Sequence, residues 1–481
     1  MMASFVFACL ILASLGLAIF AKRGHHTESV KEFFIASRQF GGFLVFFLAV
    51  GEIYSIGTII GFPGGIYAMG GTYGIWFLGY ILLAYPVGYF VNPWIWRAGK
   101  VYDAVTLPDL FKGHFRDHRY GRFLELSVTI AAIVFLVPWG QLQFSGLIIA
   151  LNGLGWHFNP IVLTVLAAAL AFTYVAVSGI RAPAYVAILK DILMVLAIVV
   201  TGVAAVSAVG LGSIFHIAGP VAHNHLNAPQ LRFTMSTITF QALGFFMFPF
   251  NMQNLFTARS EQTIRRTQMF MPLYMLMYPF LVVTSYYALS QHTHLAAPNQ
   301  AFMAVAVSLL PGWVLGMVAA GASLSGLIVL AGISLAIGPL VSRNLFGHVP
   351  ETRQRSAARL VIVLYLAASI LLTLMAPNLL LTIINTAFFG ITQFFPGVLA
   401  IIFFRRAHPL AIGAGIIVAD VLSIAFYLAG ATMDGLNVGF VCLLINIVIL
   451  VGGSLLMARD PRVVPVAARE SGLIAAPASG D

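Results

Sequence analysis

Residues 49–65 read AVGEIYSIGTIIGFPGG. Glu52 stands well inside an apolar stretch that opens near residue 42 and is followed by a Gly/Pro cluster. An ionised carboxylate in mid-bilayer costs several kcal/mol, so an acid placed there has a task. Gly51, Gly57 and the run GFPGG interrupt the same stretch, and such breakers free backbone polar groups in the middle of a span. The segment reads as a broken membrane helix with a carboxyl group at the break.

Composition sets that segment in a membrane. Of 481 residues, 60% are hydrophobic and 8% charged, and the mean hydropathy is +0.97. No water-soluble domain of this length covers such a core with so few polar groups. Apolar runs of about 20 residues, the length of a membrane-spanning helix, recur along the chain. They fall near 2–21, 42–69, 73–96, 121–150, 158–178, 184–210, 234–256, 268–290, 306–341, 359–375, 378–404, 409–429 and 437–457. The expectation is an all-α polytopic membrane protein of about thirteen transmembrane helices. The run Met1 to Ala21 reads as a retained helix rather than a cleaved signal, because Lys22 and Arg23 follow it and no basic segment precedes it.

The formal charge of +10 is a topology signal and not a nucleic-acid footprint. With the N-terminus outside, every one of the 25 Lys and Arg except Arg232 falls to the inner loops, Lys190 being counted there with Arg181. This bias predicts N-terminus out and C-terminus in the cytoplasm. Cys9 and Cys442 lie in apolar runs without metal-binding or redox neighbours and read as packing residues.

A second span, 234–256, carries the breaker GFFMFPFN. The two interrupted spans open two five-helix blocks, 42–210 and 234–404, and an odd number of spans inverts the second block. Inverted repeats that each begin with a broken helix point to a secondary transporter with a midplane site. Residues 1–41 supply a first helix and cytoplasmic loop, 405–457 two C-terminal helices, and 458–481 a tail expected to be disordered.

Several motifs resemble a known family. FFIASRQFGGF (33–43) and the broken helix ending GFPGGIYAMGG look like the start of the solute:sodium symporter family. SGIRAPAYVAILKDIL (178–193), AGISLAIGPLVSRNLF (331–346) and ITQFFPG (391–397) resemble its sixth, ninth and eleventh helices. GEIYS, the pair Lys190-Asp191, SEQTIRRTQMFMPLY (260–274) and the Ser-Arg-Asn of 342–344 are closer to the bacterial monocarboxylate permeases. The resemblance implies a LeuT-type five-plus-five inverted-repeat core in a bacterial cytoplasmic membrane, with solute uptake coupled to an ion gradient. It does not fix the solute.

By the same resemblance a shared cation site takes carbonyls from Gly51 and Tyr54, a carbonyl from Ala331 and a hydroxyl from Ser334. The position of a second hydroxyl holds Leu335, which leaves the site short of one oxygen. Membrane serines also bond back to a helix carbonyl, so Ser334 has a second, structural reading. Glu52 follows Gly51, and no Lys or Arg lies in its span. Either Glu52 carries the coupling proton, its neutral form favoured by apolar surroundings, or its charge compensates for Leu335 in a sodium site. Asp191 reads as a residue at the inner end of its helix, capping or pairing there; the family resemblance implies, as an alternative, a role in ion exit to the cytoplasm.

The solute site is expected among Tyr54, Ser55, Thr58, Gln143, Asn251 and Gln393, the polar residues of the interrupted spans and their neighbours. No span centre shows an Arg or Lys to neutralise a carboxylate, which favours a small monoanion over di- and tricarboxylates. The His223/His225 and His292/His294 pairs read as solvated loop residues, with no metal expected beyond Na⁺. No GxSxG, HExxH or Walker loop is present, so no enzyme activity and no cofactor are expected. The partners implied are a small-molecule solute and the lipid bilayer, with no nucleic acid and no obligate protein partner. The reading is a Na⁺- or H⁺-coupled symporter of a short-chain monocarboxylate. The alternatives are a Na⁺-coupled amino-acid or vitamin symporter resembling those for proline or pantothenate and, from another class, a polytopic membrane sensor or enzyme.

Overall fold

A computed structural model describes residues 1–21, 30–220, 222, 225–291, 295–347, 350–376 and 380–470. All thirteen expected positions are helical: α1 (Met2–Phe20), α2 (Gly42–Ile53 and Gly57–Met69), α3 (Gly71–Val101), α4 (Gly121–Gly153), α5 (Pro160–Ser178), α6 (Arg181–Val209), α7 (Ala228–Gly244 and Pro249–Thr257), α8 (Glu261–Ser290), α9 (Gly312–Leu345), α10 (Glu351–Met375), α11 (Leu380–Ile391 and Phe394–Phe403), α12 (Pro409–Leu428) and α13 (Val438–Leu456). Among the described residues, nine helices are long and apolar enough to cross a membrane, and eleven if each bent pair is one span. α5 and α10 hold the two shorter apolar helices, Pro160–Val175 and Arg359–Met375.

The breaks fall where the glycines and prolines put them. α2 bends by 44° and α7 by 46°. In α2 the helix ends at Ile53, and Tyr54 turns out of it at φ −90° and ψ 85°. Chain direction resumes in a wide turn, Gly57–Gly61, and then a helix with Pro63 in its first turn, where proline lacks only an amide that has no partner in any case. In α7, Pro249 restarts the helix after Phe248. The two bent spans are tied at one end: Phe40 N–H donates to the Thr257 carbonyl at 3.0 Å and Arg259 N–H to the Phe40 carbonyl at 3.1 Å.

α9 forms the centre, its most apolar window wholly buried. Small residues (AAGASLSG, 319–326) let its neighbours approach closely, as helix packing in lipid requires. α6 packs against α9, the first half of α2 and α8, so α2, α6 and α9 share one seam. The lipid-facing sides of α1, α5, α10 and α13 expose Leu, Ile, Val and Phe.

The tail departs from expectation. Val463 and Val466 are buried, Val466–Glu470 is helical, and the Arg469 guanidinium lies over the Tyr102 ring. Residues 471–481 lie outside the described residues, as do His223, His292 and His294 of the two histidine pairs.

Candidate functional site

The site is built on the α2 break. Ending a helix at Ile53 deprives nearby carbonyls of their amide partners four residues on. Two of them, those of Gly51 and Tyr54, accept hydrogen bonds from Lys190 Nζ at 3.1 and 2.7 Å. Lys190 is fully buried and lies roughly 13 Å along α6 from Arg181, at 1.5 Å per residue. It is therefore not the inner-loop charge the sequence suggests but a cation within the membrane. Its neighbour Asp191, also fully buried, holds its Oδ1 2.6 Å from the same ammonium. Asp191 accordingly pairs, and stands too deep in α6 to cap it.

Glu52 completes the cluster. It is 1% exposed, and neither carboxylate oxygen has a hydrogen-bond partner among the described residues. The carboxyl rests on Gly332 of α9, where a β-carbon would collide with Oε1. Gly51 is as confined: a β-carbon there would lie 2.8 Å from the Ala187 Cβ and 3.9 Å from Lys190 Cε. Two glycines thus bring α2 against α6 and α9, and set one ammonium and two carboxyl groups at the break.

The other expected cation ligands lie on α9. Ser334 Oγ donates to the Leu330 carbonyl at 2.7 Å. Ala331 lies in the uninterrupted stretch Gly312–Pro339, where the Leu335 amide is the ladder partner of its carbonyl. Leu335 is buried and apolar. A sodium ion needs several converging oxygens; here the two freed carbonyls face an ammonium and the position of the second hydroxyl holds Leu335, so the residues present do not fit Na⁺.

The expected solute residues separate into groups. The Tyr54 hydroxyl contacts the Tyr85 hydroxyl, and its ring stacks on Tyr274 at 5.2 Å. Ser55 Oγ accepts from the Gly57 N–H at 3.3 Å, and Thr58 N–H donates to the Ser55 carbonyl at 3.0 Å, so both shape the bend. Gln143 Nε2 donates to the Trp139 carbonyl at 3.3 Å, and its Oε1 has no partner among the described residues. Asn251 Nδ2 donates to the Phe245 carbonyl at 2.8 Å and seals the α7 break. Gln393 stands apart: it donates to the Phe389 and Gly439 carbonyls and accepts from Asn446 of α13 at 3.1 Å, so it joins peripheral helices.

Two features escaped the sequence reading. Trp139, one turn before Gln143, packs on Phe248 at a centroid distance of 4.6 Å and on Phe388 at 6.1 Å; its buried indole N–H has no partner among the described residues. Beside the α7 break, Asn92, Asn251, Asn254 and Gln268 line a groove between α2, α3, α7 and α8. Both amide atoms of Asn92 and Nδ2 of Asn254 have no partner among the described residues. The runs VPWGQ and FVNPW, each a polar or amphipathic residue beside a proline inside an apolar span, were the available signals.

A bundle with two bent spans, polar groups gathered at their breaks and neutral donors beside them is that of a secondary transporter with a LeuT-like fold. The sodium:solute symporter family profile matches residues 33–418, and the chain belongs to that family. The symporter YhjB of Bacillus subtilis is 25% identical over 93% of this chain and 96% of its own length. A monocarboxylate transport permease protein of Rhizobium johnstonii is 28% identical over 71% of this chain and 70% of its own. A Na⁺-coupled sialic acid symporter, solved in a substrate-bound outward-open state, superposes with a TM-score of 0.77 at 16% identity, covering 95% and 98% of the two chains.

Proposed function

We propose that this cation-coupled symporter imports a short-chain monocarboxylate, such as acetate, pyruvate or lactate, into a bacterial cytoplasm, with its N-terminus outside. The observation that carries the reading is the Trp139 indole N–H, without a partner among the described residues and buried beside the α7 break with Gln143 one turn away. A carboxylate accepts hydrogen bonds from such neutral donors. The one membrane-buried ammonium of the site, that of Lys190, is already engaged by Asp191 and two carbonyls, so nothing there favours a dianion. The name of the Rhizobium relative points the same way. Blocks 42–210 and 234–404 would rock as inverted repeats about the two breaks. Tyr54, Ser55 and Thr58 shape the bend beside the solute, Asn251 and the amide groove lie on its exit path, and Glu52 is the coupling acid.

The test is uptake of labelled acetate, pyruvate, lactate and proline into proteoliposomes under separately imposed pH and Na⁺ gradients. Accumulation of a monocarboxylate, lost in Glu52→Gln, supports the reading. Accumulation of proline alone, or of none of the four, overturns the solute assignment. Gradient-driven uptake unchanged in Glu52→Gln removes the coupling role from Glu52.

A further inference from the structure

We infer that the Lys190 ammonium is a built-in cation that fills the α2 break, so that this chain works without a sodium ion at that position. The family to which the chain belongs is described by its sodium coupling, and the site departs from that description in its chemistry.

An ammonium has three donors. Two of Lys190's reach the Tyr54 carbonyl at 2.7 Å and the Gly51 carbonyl at 3.1 Å, and Asp191 Oδ1 lies 2.6 Å away. Those carbonyls are the ones that the break releases from the helix ladder, and they are what a monovalent metal ion would need. A second cation could reach them only by expelling the lysine side chain, against like-charge repulsion at hydrogen-bond range. The tether adds to this, since a covalently attached group is always present at its site while a free ion must be recruited. α9 does not make up the loss at this level: Leu335 has no oxygen to offer, and Ser334 supplies a single hydroxyl, which donates to Leu330. The acidic groups near the ammonium are Asp191 on its own helix and Glu52 on α2, and the ion pair with Lys190 already gives Asp191 its counter-charge. The fit is also steric. Gly51 and Ala187 leave just enough room for the lysine stem, which passes 3.9 Å from where a Gly51 β-carbon would be. The cation of this break is part of the chain and does not travel with the solute.

The test reads cation binding on the full-length purified protein without any solute, so its outcome is independent of the monocarboxylate assignment. Binding of radiolabelled Na⁺ and unfolding temperature in NaCl against matched KCl are measured for wild type, Lys190→Arg, and the double variant Lys190→Ala/Leu335→Ser. The double variant removes the tether and restores a hydroxyl. The expected result is no saturable Na⁺ binding and no Na⁺-specific shift for wild type and Lys190→Arg, with both appearing in the double variant. If the double variant is not monodisperse, Lys190→Ala alone is used, and its unfolding temperature should rise with Na⁺ or methylammonium where the wild type's does not. Saturable Na⁺ binding by the wild type overturns the inference. So does a folded variant that gains no response to any small monovalent cation, because a vacated site should accept one.

Discussion

The Glu52 carboxyl of α2 lies against Gly332 of α9 so closely that the α-hydrogen of a glycine is the only substituent the contact admits. The acid at the break is thereby held against the central helix by shape, with no hydrogen bond to fix it among the described residues. Gly332→Ala should displace the carboxyl and part α2 from α9, at a cost of ~1–3 kcal/mol typical of overpacking. Thermal unfolding of the detergent-solubilised protein checks this. Adding Glu52→Ala should recover the stability while leaving uptake impaired, and a Gly332→Ala protein as stable and active as wild type would show the contact to be loose.

Trp139→Phe keeps an aromatic ring against Phe248 and Phe388 and removes the indole N–H. If that donor meets a carboxylate, its loss should raise KM by roughly 10- to 100-fold, the equivalent of ~1.5–3 kcal/mol for a hydrogen bond to a charged group. The unfolding temperature should stay near wild type, because the N–H has no protein partner among the described residues. Concentration-dependent uptake by the two proteins decides the point.

At the far end of α9, Asn344 Nδ2 donates to Asp109 Oδ1 at 2.8 Å and lies 3.1 Å from Glu125 Oε1. Arg122 pairs with Glu125 at 2.8 Å and donates to the Asn344 carbonyl, and Arg343 lies 3.2 Å from Asp109. Asn344→Ala removes one hydrogen bond from each of two buried carboxylates, which keep their other partners, and should cost ~1–3 kcal/mol. It should also free the end of α9 from α4, which proteolysis of the 343–347 segment would report as faster cleavage.

His114 sits outside the spans, on the short helix Leu107–His114, with its Nδ1 2.7 Å from the Tyr102 hydroxyl. Burial, with the Arg469 charge adding to it, pushes its imidazole down to about 3. The folded protein therefore keeps His114 neutral while the unfolded chain takes up a proton near pH 6.5. Stability from this group is whole above pH 6.5 and is lost as pH falls toward 3, at up to ~1.4 kcal/mol per pH unit. Unfolding temperatures between pH 7.5 and 5 should fall less steeply in His114→Gln than in wild type.

The helices and both bends were legible because hydropathy and the Gly/Pro breakers act locally along the chain. Lys190 was misread for the same reason. A basic residue near the start of an apolar run counts as a loop residue until the partner that draws it inward is known. That partner is a pair of carbonyls on α2, far away in sequence and without any side-chain signature of their own. Gln393 failed in the opposite sense: its span is central, but its amide turns to α13, a direction that only packing determines. Asn92 and Trp139 sit in apolar spans beside prolines, and nothing in their immediate sequence tells a groove or a break from ordinary helix contact.

The two breaks are sealed by different means, and this gives a symmetric scaffold unequal stiffness. Asn251 closes the α7 break from within α7, so that span can swing as a unit and keep its bond. The α2 break is closed by a residue of α6. Sliding α2 along α6 strips two carbonyls and an ammonium of their partners at once, at a position buried from the surface. The pliable hinge of this molecule is then on the α7 side, and α2 and α6 move as one lever.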